Sequence, residues 1–139
     1  MGRMKKIFIL ALLLVLPFPA LAQRVGTGII AVVNDNVITS VDVEQRMRLV
    51  LLSSGLPDRP EVRMHLFPQV LRGLIDEQLQ VQEAKRLDLS VSQEEIDQAL
   101  AQIAKDNKLQ GDILKFIAAR GVSPQAMTAQ VNNGILWQK

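Results

Sequence analysis

Apolar residues fall into three different patterns along this chain, and each pattern predicts a different element. Ile7 to Leu16 is an unbroken apolar run of ten residues. From Ile29 to Ile38 apolar, β-branched residues surround the turn cluster Asn34-Asp35-Asn36, which predicts a small hairpin. Beyond residue 40 apolar positions recur every three or four residues, the period of a helix with one face buried.

The helical stretches carry their own punctuation. Thr39-Ser40-Val41-Asp42 is a start signal: a hydroxyl accepts an orphan backbone N–H, and an acid suits the positive end of the helix. It predicts a helix from about Val41 to Ser53, with Val43, Met47, Val50 and Leu51 on its apolar side. A loop follows to Pro60. The pattern is then helical again, with an interruption expected at Pro68 and a long helix over Gln69 to Leu87. The long helix carries Val70, Leu71, Leu74, Ile75, Leu79, Val81 and Ala84, too many for one stripe, so it should touch neighbours on two sides. Ser92-Gln93-Glu94-Glu95 is a capping box that opens a helix ending at Asn107. A shorter helix is expected from about Gly111 to Ala119. Ser123-Pro124 then caps a last helix bearing Met127, Val131 and Ile135. The fold class is mainly α: about five to six helices with a small N-terminal β-hairpin.

The first apolar run has the anatomy of a cleavable export signal. Arg3, Lys5 and Lys6 precede it, Pro17 and Pro19 break it, and Ala20-Leu21-Ala22 offers small residues for cleavage. Its ten residues fall well short of the roughly 20 that span a bilayer. The expected division is therefore a signal over 1–22 and a mature domain over 23–139, with no stable membrane span once the signal is removed. Gln23 to Gly28 reads as a loose leader.

Removing the signal changes the charge. Three of the 16 Lys and Arg go with it, which leaves 13 against 14 Asp and Glu, a net of about −1. A near-neutral chain without a basic cluster gives no case for nucleic acid as a partner. There is no cysteine, so packing must hold the domain together without disulfides. Aromatic residues in the mature part are limited to Phe67, Phe116 and Trp137, so the core must be aliphatic.

Candidate chemistry is sparse. His65 is the single histidine, a surface or boundary residue by its setting. Asp76-Glu77 and Glu94-Glu95 are neighbours in sequence and so point in different directions on a helix; they read as solvated charges and a cap. Asp35 and Asp42 lack the further oxygens a cation needs. Gly26-Thr27-Gly28 lacks the lysine and the strand–loop–helix setting of a phosphate cradle. No catalytic residue, metal site or cofactor is expected. What remains is apolar surface on faces wider than one core needs, which marks a site for partner polypeptides. Val43, Met47, Val50, Leu71 and Met127 are the expected client contacts, and Met64 is a further methionine suited to an adaptable surface.

The stretch Ile30 to Val43, the stretch Leu74-Ile75-Asp76-Glu77-Gln78-Leu79-Gln80-Val81-Gln82-Glu83-Ala84, and Leu87 to Leu100 with Ile103-Ala104 resemble, in order and spacing, the N-terminal domain of SurA-type periplasmic chaperones. Phe116 to Gly121 and Ser123 to Trp137 continue the likeness. The resemblance implies a periplasmic, ATP-independent module that holds unfolded outer-membrane proteins in an apolar cradle and passes them to the outer-membrane assembly machinery. Many members carry parvulin-type prolyl isomerase domains after this region, and a C-terminal segment that returns to complete the module. The sequence stops where those would begin, so isomerase activity is not expected of this chain, and the apolar surface that the segment would cover is left to substrate, a second copy (self-association) or nothing. Two other readings stay open: a foldase whose isomerase domain lies outside the sequence, and an oligomerisation or interaction domain.

Overall fold

A computed structural model describes residues 28–139. The expected export signal, 1–22, and most of the expected leader lie outside the described residues. The order is β1 (Ile29–Val33), β2 (Asn36–Thr39), α1 (Ser40–Ser54), α2 (Pro60–Arg86), α3 (Gln93–Asp106), α4 (Ile113–Ala118) and α5 (Pro124–Gln138). The expected mainly helical class with an N-terminal hairpin holds, with five helices among the described residues.

β1 and β2 pair antiparallel across the two-residue turn Asn34-Asp35. Asn34 takes a left-handed φ of 54°, which gives the tight turn a twist matching that of its strands. Thr39 ends β2 and caps α1. Its hydroxyl accepts the Asp42 N–H at 3.2 Å, while the Asp42 carboxylate accepts the Thr39 N–H at 2.7 Å. Ser92 and Glu95 make the same reciprocal pair at the start of α3. Asp112 caps α4, which moves its start two residues past the expected Gly111. Ser123 caps α5 with Pro124 in the first turn.

Pro68 does not interrupt the chain; α2 runs unbroken from Pro60 to Arg86 with the proline inside it. The ring removes one hydrogen bond to the carbonyl of Met64, but Met64 is itself an exposed residue of the helix. Val62 and Leu66 before the proline pack on the same apolar cluster as Val70, Leu71 and Leu74 after it. Packing on both sides holds one helical register across the defect.

The buried residues form two clusters. Val33, Ile38, Val43, Met47, Leu51 and Val70 join the hairpin to α1 and α2. Leu49 joins Ile96, Leu100, Ile113, Ile117, Met127 and Val131 of the α3–α5 bundle. α1 therefore serves both: residues 43, 47 and 51 recur at i, i+4 and i+8 towards the hairpin, and Leu49 and Leu52 face the bundle. Where the two faces meet, Arg46 forms a forked ion pair with Glu77 of α2; Nη2 lies 2.8 Å from Oε2. Asn133 of α5 donates to the same carboxylate at 3.3 Å. Glu77 is thus no solvated charge, contrary to the reading of the Asp76-Glu77 pair: its partner lies 31 residues away on another helix, and only 21% of its side chain is exposed. Asp76 does face solvent.

Glu77→Ala leaves the Arg46 guanidinium, 12% exposed, without its anion, and is expected to cost roughly 3 kcal/mol in urea denaturation. Glu83→Ala, which breaks an exposed pair with Arg86 on the same helix, should leave the unfolding midpoint nearly unchanged.

Candidate functional site

The hairpin side leaves apolar side chains in the open. Ser40 at the start of α1 donates its N–H to the Gly28 carbonyl at 2.8 Å, which brings the base of β1 against the first turn of α1. The first two turns of α2 pass the same point. Between the three elements lies an open groove of about 420 Å³. Val43 and Met47 form its floor, and Ile30, Met64 and Phe67 form its walls. The floor is buried, whereas Met64 is 73% exposed. Met64 and Phe67 lie three residues apart on α2 and out of phase with Val62, Leu66 and Val70, which face the core. A mostly apolar concavity of this size, formed in part by flexible methionines, suits apolar side chains of varied shape.

Charge is confined to one side. Arg63 on α2 donates to Glu44 of α1 at 2.7 Å and to Asp58 in the α1–α2 loop at 2.8 Å. Arg48 reaches Glu44 from the next turn at 2.6 Å. Partial burial pushes the Glu44 carboxyl up, but hydrogen bonds from Arg63 and Arg48 outweigh it and hold the group below its usual value. The Arg63 hydrogen bond lowers Asp58 in the same way, and the two carboxylates raise the Arg63 guanidinium. This clasp fixes the loop at the edge of the groove and leaves the floor uncharged.

The five residues expected at the client contact are not gathered in one place. Val43 and Met47 floor the groove. Val50 is half-buried beside a separate pocket of about 240 Å³ with Gln69, Gly73 and Gln130. Leu71 packs against the hairpin-side cluster. Met127 is buried in the bundle. Ile30, Phe67 and the Arg63 clasp went unnoticed in the sequence. The available signal was the off-phase Met64–Phe67 pair, apolar where the helical period calls for polar residues. His65 is exposed, and among the described residues no group of acidic or histidine side chains is arranged to hold a metal ion. No described helix is long and apolar enough to cross a membrane.

A family model described as the SurA N-terminal domain matches residues 27–139. The Chaperone SurA of Bordetella pertussis is 34% identical over 126 residues, which cover 87% of this chain and 21% of that protein. The Chaperone SurA of Legionella pneumophila is 32% identical over 114 residues, 78% of this chain and 26% of that protein. An uncharacterized protein of Rickettsia bellii is 29% identical over 129 residues, 91% of this chain and 43% of that protein. The chain thus spans only 21% of the length of the Bordetella relative. No solved structure matches it.

Because both carboxylates are lowered in the folded state, the stability they contribute is present above their ordinary values of 4.5 and 3.8 and is lost as pH falls through the lowered ones. Thermal melts of Arg63→Ala should therefore fall below those of the unaltered chain at pH 7 and converge with them near pH 2.

Proposed function

Since the chain belongs to the family of SurA N-terminal domains, we propose that it is an ATP-independent chaperone module that binds unfolded outer-membrane polypeptides after export to the periplasm. The observation that carries this reading is the open groove of Val43, Met47, Ile30, Met64 and Phe67. An apolar floor with exposed walls that include the adaptable Met64 gives affinity for apolar side chains without demanding one sequence, which is what a client in many unfolded conformations requires. Many weak contacts of this kind release the client without a nucleotide cycle. Val43 and Met47 are the client contacts that this groove keeps; Val50 and Leu71, both half-buried, are secondary contacts where the client extends beyond it, and Met127, buried in the bundle, is assigned none. No residue of the chain is assigned a catalytic step or a cofactor.

Location follows from the export signal expected over residues 1–22. Cleavage after Ala22 would release a mature domain of residues 23–139 into the periplasm, where unfolded outer-membrane polypeptides are the natural clients. Delivery to the outer-membrane assembly machinery is part of the same reading, with the groove occupied by client until transfer.

The test is aggregation of a chemically unfolded outer-membrane β-barrel protein, diluted without nucleotide in the presence of residues 23–139. Suppression of light scattering at near-stoichiometric amounts is expected, and Met64→Asp with Phe67→Asp should abolish it while leaving the circular dichroism unchanged. Unchanged scattering beside a folded, unaltered chain would contradict the proposal.

A further inference from the structure

The first two turns of α2 are attached to the module differently from the rest of that helix. Its buried residues, Val70 and Ala84, both lie beyond Pro68. Residues 60–69 contribute none; they rest on half-buried Val62 and Leu66, which pack against the hairpin-side cluster. Pro68 has no N–H, so the helix loses a hydrogen bond at the boundary between the two parts, and helices bend most sharply at such prolines. At the other end Gly55 closes α1 with a left-handed φ of 64°, and Leu56 to Arg59 run exposed and without regular structure. A segment with a weakened turn at one end and slack chain at the other is held in place by what its side chains grip.

That grip falls to one residue. Among the described residues, Arg63 is the only side chain of 60–69 that makes a hydrogen bond. Its bonds to Asp58 reach the slack loop, whereas those to Glu44, at 2.7 and 3.4 Å, cross to α1. Glu44 belongs to the fixed side, because Arg48 donates both to it at 2.6 Å and to the Gly121 carbonyl ahead of α5. The hairpin wall is fastened otherwise. Its turn is tied to α2 beyond the proline: Asn34 donates to Gln82 at 2.6 Å, Asn36 to Gln78 at 3.0 Å, and Gln82 donates to the Val33 carbonyl at 3.0 Å. Val33 and Ile38 are buried beneath it. With fewer buried contacts and one polar tie, the α2 wall is the one that opens at lower cost.

We propose that residues 60–67 are a strap that pivots at Pro68 and is latched over Val43 and Met47 by the Arg63–Glu44 pair. When the latch parts, Met64 and Phe67 swing away, Val62 and Leu66 leave the cluster, and the groove deepens to its floor. Pivot, latch and slack loop all lie between Glu44 and Pro68. The motion stands apart from the chaperone reading; its use, fitting one groove to apolar side chains of different bulk, rests on that reading.

The chain has no cysteine, so an introduced thiol reports on one place. Val43→Cys puts it on the groove floor and Val131→Cys puts it in the bundle, at positions 7% and 8% exposed. Alkylation by iodoacetamide in native buffer, followed by mass spectrometry, reads how often each thiol is uncovered. The floor thiol should react faster than the bundle thiol. Arg63→Ala, which removes charge-assisted hydrogen bonds, should speed the floor thiol at least about tenfold and leave the bundle thiol unchanged. Pro68→Ala, which restores the helical N–H, should slow the floor thiol several-fold. Met47→Cys repeats the measurement one turn along the floor, should Val43→Cys disturb the packing. Equal acceleration of floor and bundle by Arg63→Ala would mean general loosening and overturn the strap. No acceleration, or an unslowed floor thiol with Pro68→Ala, would overturn the latch or the pivot and the proposal with it. Labelling as predicted beside unsuppressed aggregation would uphold the motion and sink the chaperone reading instead.

Discussion

Arg46 reaches from the middle of α1 to Glu77 on α2, and Asn133 on α5 reaches the same carboxylate. These three helices share no single apolar core. α1 and α2 pack around the hairpin-side cluster, and α1 and α5 around the bundle cluster. The polar junction sits where the two clusters part. A charged pair taken this far from water is stable only with close geometry on both partners, so it tolerates little sliding of one helix on another. It therefore sets the register in which α1 presents Leu49 to the bundle and, on its other face, Val43 and Met47 to the hairpin. Two further contacts pin the far side of α1: the Gln45 side chain accepts the Ser123 N–H at 2.7 Å, and Arg48 donates to the Gly121 carbonyl at 3.3 Å.

This arrangement divides the module into a closed half and an open half. In the bundle, Ile113, Ile117, Val122 and Val131 are covered from several directions by α3, α4 and α5. On the hairpin side, two strands and the first turns of α2 cannot enclose all the apolar side chains they carry, and Ile29, Val32, Val37 and Met64 stand in solvent. Exposed apolar surface of this kind marks a binding surface. The Arg63 clasp on Glu44 and Asp58 keeps the groove's edge in place without putting charge on its floor.

How much of this the sequence disclosed follows the range of the interactions. Three helix starts were legible to within a residue or so because a side chain bonds the backbone within three positions, Thr39 with Asp42, Ser92 with Glu95 and Ser123 before Pro124, whereas α4, capped by Asp112 in the same way, begins two residues past its expected start. The hairpin was legible because its turn residues sit between β-branched runs. Pro68 was misjudged because proline's local cost is fixed, while the contacts of Leu66 and Val70 that override it are tertiary. Glu77 was misjudged for the same reason, since nothing near it in sequence announces Arg46. The five expected client contacts were drawn from the strongest apolar positions of their helices, and such positions are the ones a core takes first. Met127 went to the bundle on that account, whereas Val43 and Met47 meet the groove through a floor they share with the core.

Hydrogen exchange with and without an unfolded outer-membrane β-barrel protein tests the division of labour most directly. Client binding should slow exchange in β1, in the first turns of α1 and over residues 60–67 of α2, and leave α3 and α4 unchanged. Protection concentrated instead around Leu49, Ile103 and Phe116, where the bundle has its own apolar pocket, would contradict the claim that the hairpin half is the client-binding half.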